Sequence, residues 1–219
     1  SLAGDSITTG IGNVAVGYLS GEAITSGNNN VAIGNATLES CTTASNNVAI
    51  GVAALRESTT ATDNVAVGSY ALNASTTGNN NTAVGDSAGL SVTTGTINTL
   101  IGALAGDALT TGNSNVAVGY NTLSGDTKGD RSTAIGMQAL ALQNFTTNTD
   151  AYNTAVGYNA GYSVTTGVQN TIMGGLSGDS ITTGSNNTAL GYATLSENTT
   201  ASNNTAVGFK ALIVNTTGA

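Results

Sequence analysis

A segment close to Asn-Val-Ala-Val-Gly or Asn-Thr-Ala-Val-Gly occurs twelve times in this 219-residue chain. Its closing glycines lie 17 residues apart, except that Gly136 and Gly157 are separated by 21. A short fixed period predicts a solenoid, because one such unit cannot bury a core unless it stacks on its neighbours. We therefore divide the chain into coils that each end at one of these glycines. Coil 1 is residues 1–17, and positions within a coil are numbered from 1 to 17.

Each coil contains two segments with strand character. Positions 13 to 16 alternate β-branched residues with alanine, which predicts a strand of period two. Thr at position 8, followed by a second Thr in most coils and then by Gly, Ala or Asn, predicts a second short strand that enters a turn. We expect an all-β fold, a parallel β-solenoid (β-roll) of about 12 coils of 17 residues. It would form a single repeat domain over residues 1–219, with a four-residue insertion within 137–157.

Stacking places equivalent residues of successive coils in columns. The invariant glycine at position 17 predicts a positive φ or a tight corner. Columns of Asn at position 13 and Thr at position 8 would satisfy polar side chains by mutual hydrogen bonding, without charge. The residues that define these structural columns are Gly17, Gly34, Gly51, Gly68 and Gly85, Asn13, Asn30 and Asn47, and Thr8, Thr25 and Thr42.

Positions 4 and 7 vary together. Position 4 is Gly or Leu; position 7 is large and apolar beside Gly, as in Gly178 and Ile181, but small or polar beside Leu, as in Leu38 and Cys41. Because a packed interior tolerates neither a void nor a second large group, the two positions are predicted to share one slot.

Composition excludes several classes of function. Twelve acidic and four basic residues give a net charge of −8, which argues against nucleic acid or an anionic membrane surface as a partner. Without histidine there is no catalytic triad of the usual kind, and the single Cys41 is interpreted as a small packing residue. We expect no enzymatic activity, no metal and no cofactor. The segment has no signal peptide or spanning apolar run, and it starts and stops inside repeats, which predicts a piece of a longer protein.

The strand motif resembles that of known surface fibres. Asn30–Gly34 and Asn46–Gly51 are similar to the head repeat of trimeric autotransporter adhesins. The longer unit Thr199–Gly208 also resembles repeats of phage tail fibres and surface proteins that end in an endosialidase-type chaperone domain. The resemblance covers nearly the whole chain, although the adhesin repeat is typically shorter than 17 residues. It implies a left-handed β-roll, a homotrimer, and an extracellular location on a bacterial cell surface or a virion.

The lengthened region is the one irregular site. Insertions in solenoids emerge as loops on one face and often carry binding. The alternative is a tolerated turn extension with a local ion pair. If the region binds a host glycan or protein, the candidate contact residues are Asp126, Lys128, Asp130, Arg131, Phe145, Asp150 and Tyr152.

Aromatic residues recur at position 1. They would either stack on sugars or cover the corner or a neighbouring chain. The members of this column are Tyr18, Tyr120, Tyr158, Tyr192 and Phe209.

These patterns favour a structural segment of an extracellular fibre or adhesin that assembles with itself. The alternative is an ice-binding β-solenoid that uses the Thr column. Against it, positions 8 and 9 are adjacent and would point to opposite faces of a strand. A polysaccharide-cleaving β-helix would need a cluster of acidic and basic residues that the repeat lacks.

Overall fold

The computed structural model describes residues 3–215, which contain strands, turns and bends but no helix. The chain forms two compact units, Ser1–Thr111 and Gly112–Ala219. The strands of the first unit are β1 (Val14–Val16), β2 (Val31–Ile33), β3 (Val48–Ile50), β4 (Val65–Val67), β5 (Thr82–Val84) and β6 (Thr99–Ile101). Those of the second are β7 (Val116–Val118), β8 (Gly129–Asp130), β9 (Thr133–Ile135), β10 (Thr149–Asp150), β11 (Thr154–Val156), β12 (Thr171–Met173), β13 (Thr188–Leu190) and β14 (Thr205–Val207).

Strands pair in parallel between equivalent positions of successive coils. In the first unit β1 to β6 follow chain order, and Ala15 pairs with Ala32 and Ala32 with Ala49. In the second unit β7, β9 and β11 to β14 pair in the same way, and β8 forms a separate parallel pair with β10. Each unit is therefore a parallel β-solenoid of 17-residue coils, and the predicted fold class is confirmed. The left hand, the trimer and the single domain over 1–219 stay predictions.

Side chains of the three-residue strands alternate between the interior and the outer surface. At position 15, Ala32 and Ala49 are fully buried, whereas Ile33 and Ile50 at position 16 are 38% and 36% exposed. This is the period-two alternation expected of a strand with one buried face. The β-branched residues that suggested the strand therefore lie mainly outside it, and alanine lies inside.

The second predicted strand, at positions 8 to 10, is wrong for most coils: positions 8 and 9 form a bend, and only β8 and β10 give short strands in this part of the coil. In coil 1 the backbone N–H groups of Thr8, Thr9 and Gly10 all donate to the carbonyl oxygen of Thr25, at 3.0, 3.1 and 3.2 Å. Three donors that converge on one acceptor cannot form an extended ladder. The hydroxyl of Thr8 donates to the same oxygen at 3.0 Å, so the Thr column bonds to backbone and not to neighbouring hydroxyls. Thr216, at the end of that column, lies outside the described residues.

Glycine is required at position 17 for two reasons. Gly34 and Gly51 have φ values of 135° and 126°, which L side chains rarely adopt. A Cβ atom on Gly34 would also lie 2.5 Å from the carbonyl oxygen of Gly51, in the next coil. The corner therefore brings two backbones too close for any side chain.

The Asn column is a hydrogen-bonded ladder, as predicted, and the structure shows that it is buried. Oδ1 of Asn30 accepts from the backbone N–H of Asn47 at 3.0 Å and from Nδ2 of Asn47 at 3.2 Å. Nδ2 of Asn47 also donates to the carbonyl oxygen of Ala61 at 2.9 Å. In the second unit Asn170 and Asn187 repeat this arrangement. Because these hydrogen bonds satisfy the donor and the acceptor groups of the side-chain amide, a buried asparagine is tolerated in a coil with so small an interior.

Positions 4 and 7 share one interior slot. A Cβ atom on Gly21 would lie 2.9 Å from Cδ1 of Ile24, so the isoleucine fills the space that a larger residue at position 4 would enter. In the other type of coil, Leu38 and Leu55 at position 4 are fully buried. Their φ values of 47° and 50° are left-handed, a conformation that costs a non-glycine residue about 1–2 kcal/mol. Burial of the leucine side chain, worth about 1.5–3 kcal/mol, offsets that cost.

A third position contributes to the same slot. In two glycine-type coils position 7 is the smaller Val92 or Val164, and position 15, elsewhere alanine, becomes Leu100 or Ile172. Both replacements are fully buried. A Cβ atom on Gly89 would lie 2.7 Å from Cδ1 of Leu100 and 3.4 Å from Cγ2 of Val92. The coil interior is therefore filled jointly from positions 4, 7 and 15.

Candidate functional site

The lengthened coil, residues 137–157, adds a short second sheet to the second unit. Strand β10 pairs in parallel with β8, with Thr149 opposite Gly129 and Asp150 opposite Asp130. Between the buried Phe145 and β10, residues 146–148 are exposed. The insertion thus forms a loop that is attached to coil 8 by two residues of strand pairing.

Asp126, predicted as a surface contact, is fully buried, so that prediction is wrong. Its Oδ1 accepts from the backbone N–H groups of Gly129 and Phe145, at 3.0 and 3.1 Å, and its Oδ2 accepts from Nε2 of Gln143 at 2.6 Å. A buried carboxylate is tolerated when N–H donors replace water around both oxygens. Asp126 therefore ties coil 8 to the start of the insertion from inside.

Gln143 repairs the Asn column where Ser132 interrupts it. The serine hydroxyl is too short to reach the next coil as an asparagine amide does. Nε2 of Gln143 donates to Oγ of Ser132 at 2.9 Å, and Oε1 of Gln143 accepts from Nδ2 of Asn153 at 2.9 Å. All three side chains are buried. Sequence reasoning missed this role, although Ser132 at an asparagine position was a usable signal.

Phe145 was also predicted as a surface contact, and it is only 5% exposed. A Cβ atom on Gly129 would lie 2.9 Å from its Cδ2, which shows that the ring packs against the backbone of β8. The apolar ring fills the interior that the extra residues would otherwise leave open. The prediction is therefore wrong for Phe145, as it is for Asp126.

The other five predicted residues lie at or near the surface. Arg131 forms an ion pair with Asp150, and its Cζ lies 5.8 Å from the ring centroid of Tyr152. The hydroxyl of Tyr152 donates to Oδ2 of Asp150 at 3.4 Å. Oδ1 of Asp130 accepts from the backbone N–H of Asn113 at 2.6 Å, and Lys128 is half-buried.

Arg131, Asp150 and Tyr152 thus form one exposed cluster, the triad of the lengthened coil. Asp150 neutralises the positive charge of Arg131. Exposed ion pairs of this kind contribute about 0–1 kcal/mol to folding stability. The local ion pair expected of a turn extension is present. Whether the triad contacts a receptor stays a prediction.

Burial changes the pKa of three ionisable groups elsewhere among the described residues. Burial raises the pKa of the Cys41 thiol to about 11, which keeps it protonated and unreactive at neutral pH. Burial also raises the pKa of Asp107 and of Asp179, and Oδ1 of each has no hydrogen-bond partner. Within residues 3–215 no three His, Cys, Asp or Glu side chains are grouped closely enough to hold a metal ion.

Exposed apolar side chains recur along the outer face of the sheet in each unit. On the outer face of each sheet, position 16 presents a β-branched or long aliphatic side chain in coil after coil. Position 1 follows it after the glycine corner and presents exposed aromatics in several coils. The position-16 residues exposed by more than a third are Val16, Ile33, Ile50, Val84 and Ile101 in the first unit, and Ile135, Met173, Leu190 and Val207 in the second.

No protein-family model matches the chain, and no significant match was found among curated proteins or solved structures. In the part of the chain that the structure describes, there is no helix long and apolar enough to cross a lipid bilayer. The physical features above are therefore the basis for a functional proposal.

Proposed function

We propose that this chain is a structural, non-enzymatic segment of an extracellular fibre or adhesin, on a bacterial cell surface or a phage tail, and that it assembles as a homotrimer. The observation that carries the proposal is the apolar outer face of the sheets. A contiguous row of exposed Val and Ile side chains on a soluble protein marks an association surface.

A second copy of the chain is the partner that fits this face best. Ile33 and Ile50 lie in register on adjacent strands, so an identical chain presents the same residues at the same spacing. In a homotrimer the same face of each chain can turn toward a common threefold axis, where equivalent residues of the three copies meet. Burial of about 25 cal/mol per Å² of apolar surface favours association at every coil and so accumulates along the solenoid.

The interior chemistry supports a durable role outside cells. Buried side-chain amides, hydroxyls and alanines replace the charged residues, which are only 7% of the chain. Exposed charge pairs are weakened by salt, whereas buried amide ladders are shielded from it. The triad of the lengthened coil, Arg131, Asp150 and Tyr152, would be available on such a fibre for contact with a host surface.

Sedimentation equilibrium tests the proposal. We expect the purified chain to have three times its 21.3 kDa mass. The variant Ile50→Asp, which places a charge in the middle of the apolar face, should dissociate to monomers. Thr43→Asp is the matched control, because Thr43 is an exposed residue of the same coil at position 9. A wild-type chain that remains a stable monomer would contradict the trimer.

The ice-binding alternative rests on a different surface. Position 9 presents exposed hydroxyl residues in successive coils of the first unit, among them Thr43, Thr60 and Thr77. The threonines at position 8 are less available, because the hydroxyls of Thr42 and Thr59 donate to carbonyl oxygens of the next coil. Thermal hysteresis by a monomeric chain, abolished by Thr60→Tyr, would establish this alternative and displace the fibre proposal.

A further inference from the structure

Three tyrosines of the second unit form an evenly spaced row at position 1. They are Tyr120, Tyr158 and Tyr192, from coils 8, 10 and 12, and they are 51%, 51% and 48% exposed. The intervening coils present Met137 and Gly175 at this position. From coil 8 to coil 12 aromatic side chains thus occur at every second coil, and Phe209 follows at position 1 of the next coil.

Backbone hydrogen bonds keep this row in register. The N–H groups of Gln138 and Asn159 donate to the carbonyl oxygens of Tyr120 and Met137, both at 3.0 Å. Leu176 and Ala193 donate in the same way to Tyr158 and Gly175, at 2.9 and 3.0 Å. Each coil therefore advances the row by one interstrand spacing, and successive tyrosines lie about 10 Å apart, twice the spacing of about 4.8 Å.

The last ring of the row has one face against a neighbouring ring. Tyr192 is stacked on Phe209, with ring centroids 5.7 Å apart and planes at 12°. A Cβ atom on Gly175 would lie 3.6 Å from Cδ2 of Tyr192, so the bare glycine leaves room for the ring to lean along the row. A polar group borders the row, because the partly exposed Asn121 directly follows Tyr120.

From this spacing we infer that the row binds an extended, neutral β-1,4-linked glycan of the cellulose or chitin type. Successive sugars of such a chain are turned over, so the same face recurs once per disaccharide, at close to two interstrand spacings. Each recurring sugar would place its C–H face on one tyrosine, while the amide next to the row bonds to a hydroxyl group. The net charge of −8 disfavours acidic polysaccharides.

This inference goes beyond the proposed structural role and does not depend on it. The row follows the Gly17-type corner, outside the strands that form the apolar sheet face. A monomer carries the same row as a trimer. An experiment can therefore contradict glycan binding without contradicting self-association, and the reverse is also true.

Isothermal titration of the full chain with cellohexaose and chitohexaose tests the inference, with the α-linked maltohexaose as the control ligand. We expect binding of at least one β-1,4-linked hexamer and none of maltohexaose. Tyr158→Ala should weaken binding about two- to tenfold, the range expected for loss of one aromatic stacking contact. Tyr18→Ala is the matched control, since Tyr18 occupies position 1 in the other unit and is similarly exposed.

A second variant tests the spacing itself. Combining Met137→Tyr with Tyr158→Met keeps the composition but moves one ring by one coil, and we expect it to bind as weakly as Tyr158→Ala. Circular dichroism and melting temperature would show that the variants are folded. The inference is overturned if neither β-1,4-linked hexamer binds, if Tyr18→Ala weakens binding as much as Tyr158→Ala, or if the shifted row binds like wild type. Sedimentation of Tyr158→Ala would show whether the variant keeps the oligomeric state of the wild-type chain, so that weaker glycan binding is not mistaken for loss of the oligomer.

Discussion

Nε2 of Gln143 donates a 2.9 Å hydrogen bond to Oγ of Ser132, so a glutamine from position 7 completes the asparagine column where a serine interrupts it. The same Nε2 donates to Oδ2 of Asp126 at 2.6 Å. A side chain with one amide NH₂ group thus satisfies two buried acceptors, and its oxygen accepts from Asn153. The lengthened coil depends on this glutamine because no other residue type supplies both donor and acceptor at this length.

Gln143→Glu should therefore be strongly destabilising at neutral pH. It places a second carboxylate against Asp126 in a buried site and removes both hydrogen bonds that Nε2 donates. We expect a loss of about 3–5 kcal/mol in the free energy of unfolding, measured by urea denaturation. The loss should become smaller as the pH falls, because a protonated carboxyl group can donate to Asp126 as the amide does.

Gln169→Glu is the control for this change. Gln169 is exposed, in the same unit, and the substitution makes the same chemical change without burying the charge. It should alter stability by less than about 0.5 kcal/mol. Equal effects of the two substitutions would show that the network around Gln143 contributes nothing specific.

The sequence predicts the repeat-level features well, because each of them is copied in every coil. The 17-residue period, the hydrogen-bonded column that contains Asn47 and the shared slot of Gly21 and Ile24 all follow from it. The inward direction of Ala32 and Ala49 and the burial of Asn47 are seen only in the structure. The lengthened coil was predicted less well because its contacts occur once. Asp126 and Phe145 looked exposed since charge and insertion usually indicate surface, but extra chain also creates interior that must be filled.

The prediction of a second strand at positions 8 to 10 was wrong for a different reason. Thr has high strand propensity, yet propensity does not reveal where backbone N–H groups point. In coil 1 three of them converge on the single carbonyl oxygen of Thr25. Threonine is present because its hydroxyl reaches that same oxygen, a tertiary contact that period alone does not show.

The shared slot predicts compensation between two substitutions in coil 2. Ile24→Ser should lower stability by about 3 kcal/mol, since it leaves a cavity and a buried hydroxyl. Adding Gly21→Leu should restore part of the loss, because a leucine there fills the same space, less the cost of its left-handed φ. A double-mutant cycle measured by thermal unfolding gives the coupling. If the double variant is no more stable than Ile24→Ser alone, the slot is not shared.

Coil 6 extends that test to position 15. Leu100→Ala should destabilise by about 2–5 kcal/mol, because it empties the space beside Val92 and Gly89. Val92→Leu alone should overpack the coil, whereas the two together reproduce the arrangement of Leu109 and Ala117 in coil 7. We expect the double variant to melt closer to wild type than either single variant. Additive losses would argue against joint filling.

The position-17 glycines are predicted not to tolerate alanine. Gly191 has a φ of 134°, and a Cβ atom there would lie 2.6 Å from the carbonyl oxygen of Gly208. Gly191→Ala should therefore cost more than the roughly 1–3 kcal/mol of backbone strain alone. Gly175→Ala is the control, because a Cβ atom on Gly175, in the same coil, would meet its nearest atom at 3.6 Å, an ordinary contact. Similar losses for the two variants in chemical denaturation would contradict the clash at this corner.

Asp179 provides a pH-dependent prediction. Burial raises the pKa of Asp179 above its ordinary value of 3.8, so the folded chain holds this proton more tightly than the unfolded chain does. The charged form therefore lowers stability above the folded pKa, and the penalty disappears as the pH falls below the unfolded value. Asp179→Asn should raise the melting temperature at about pH 7 and have little effect at about pH 3. A stabilisation of equal size at both pH values would show that a steric or hydrogen-bonding change, and not the buried charge, is responsible.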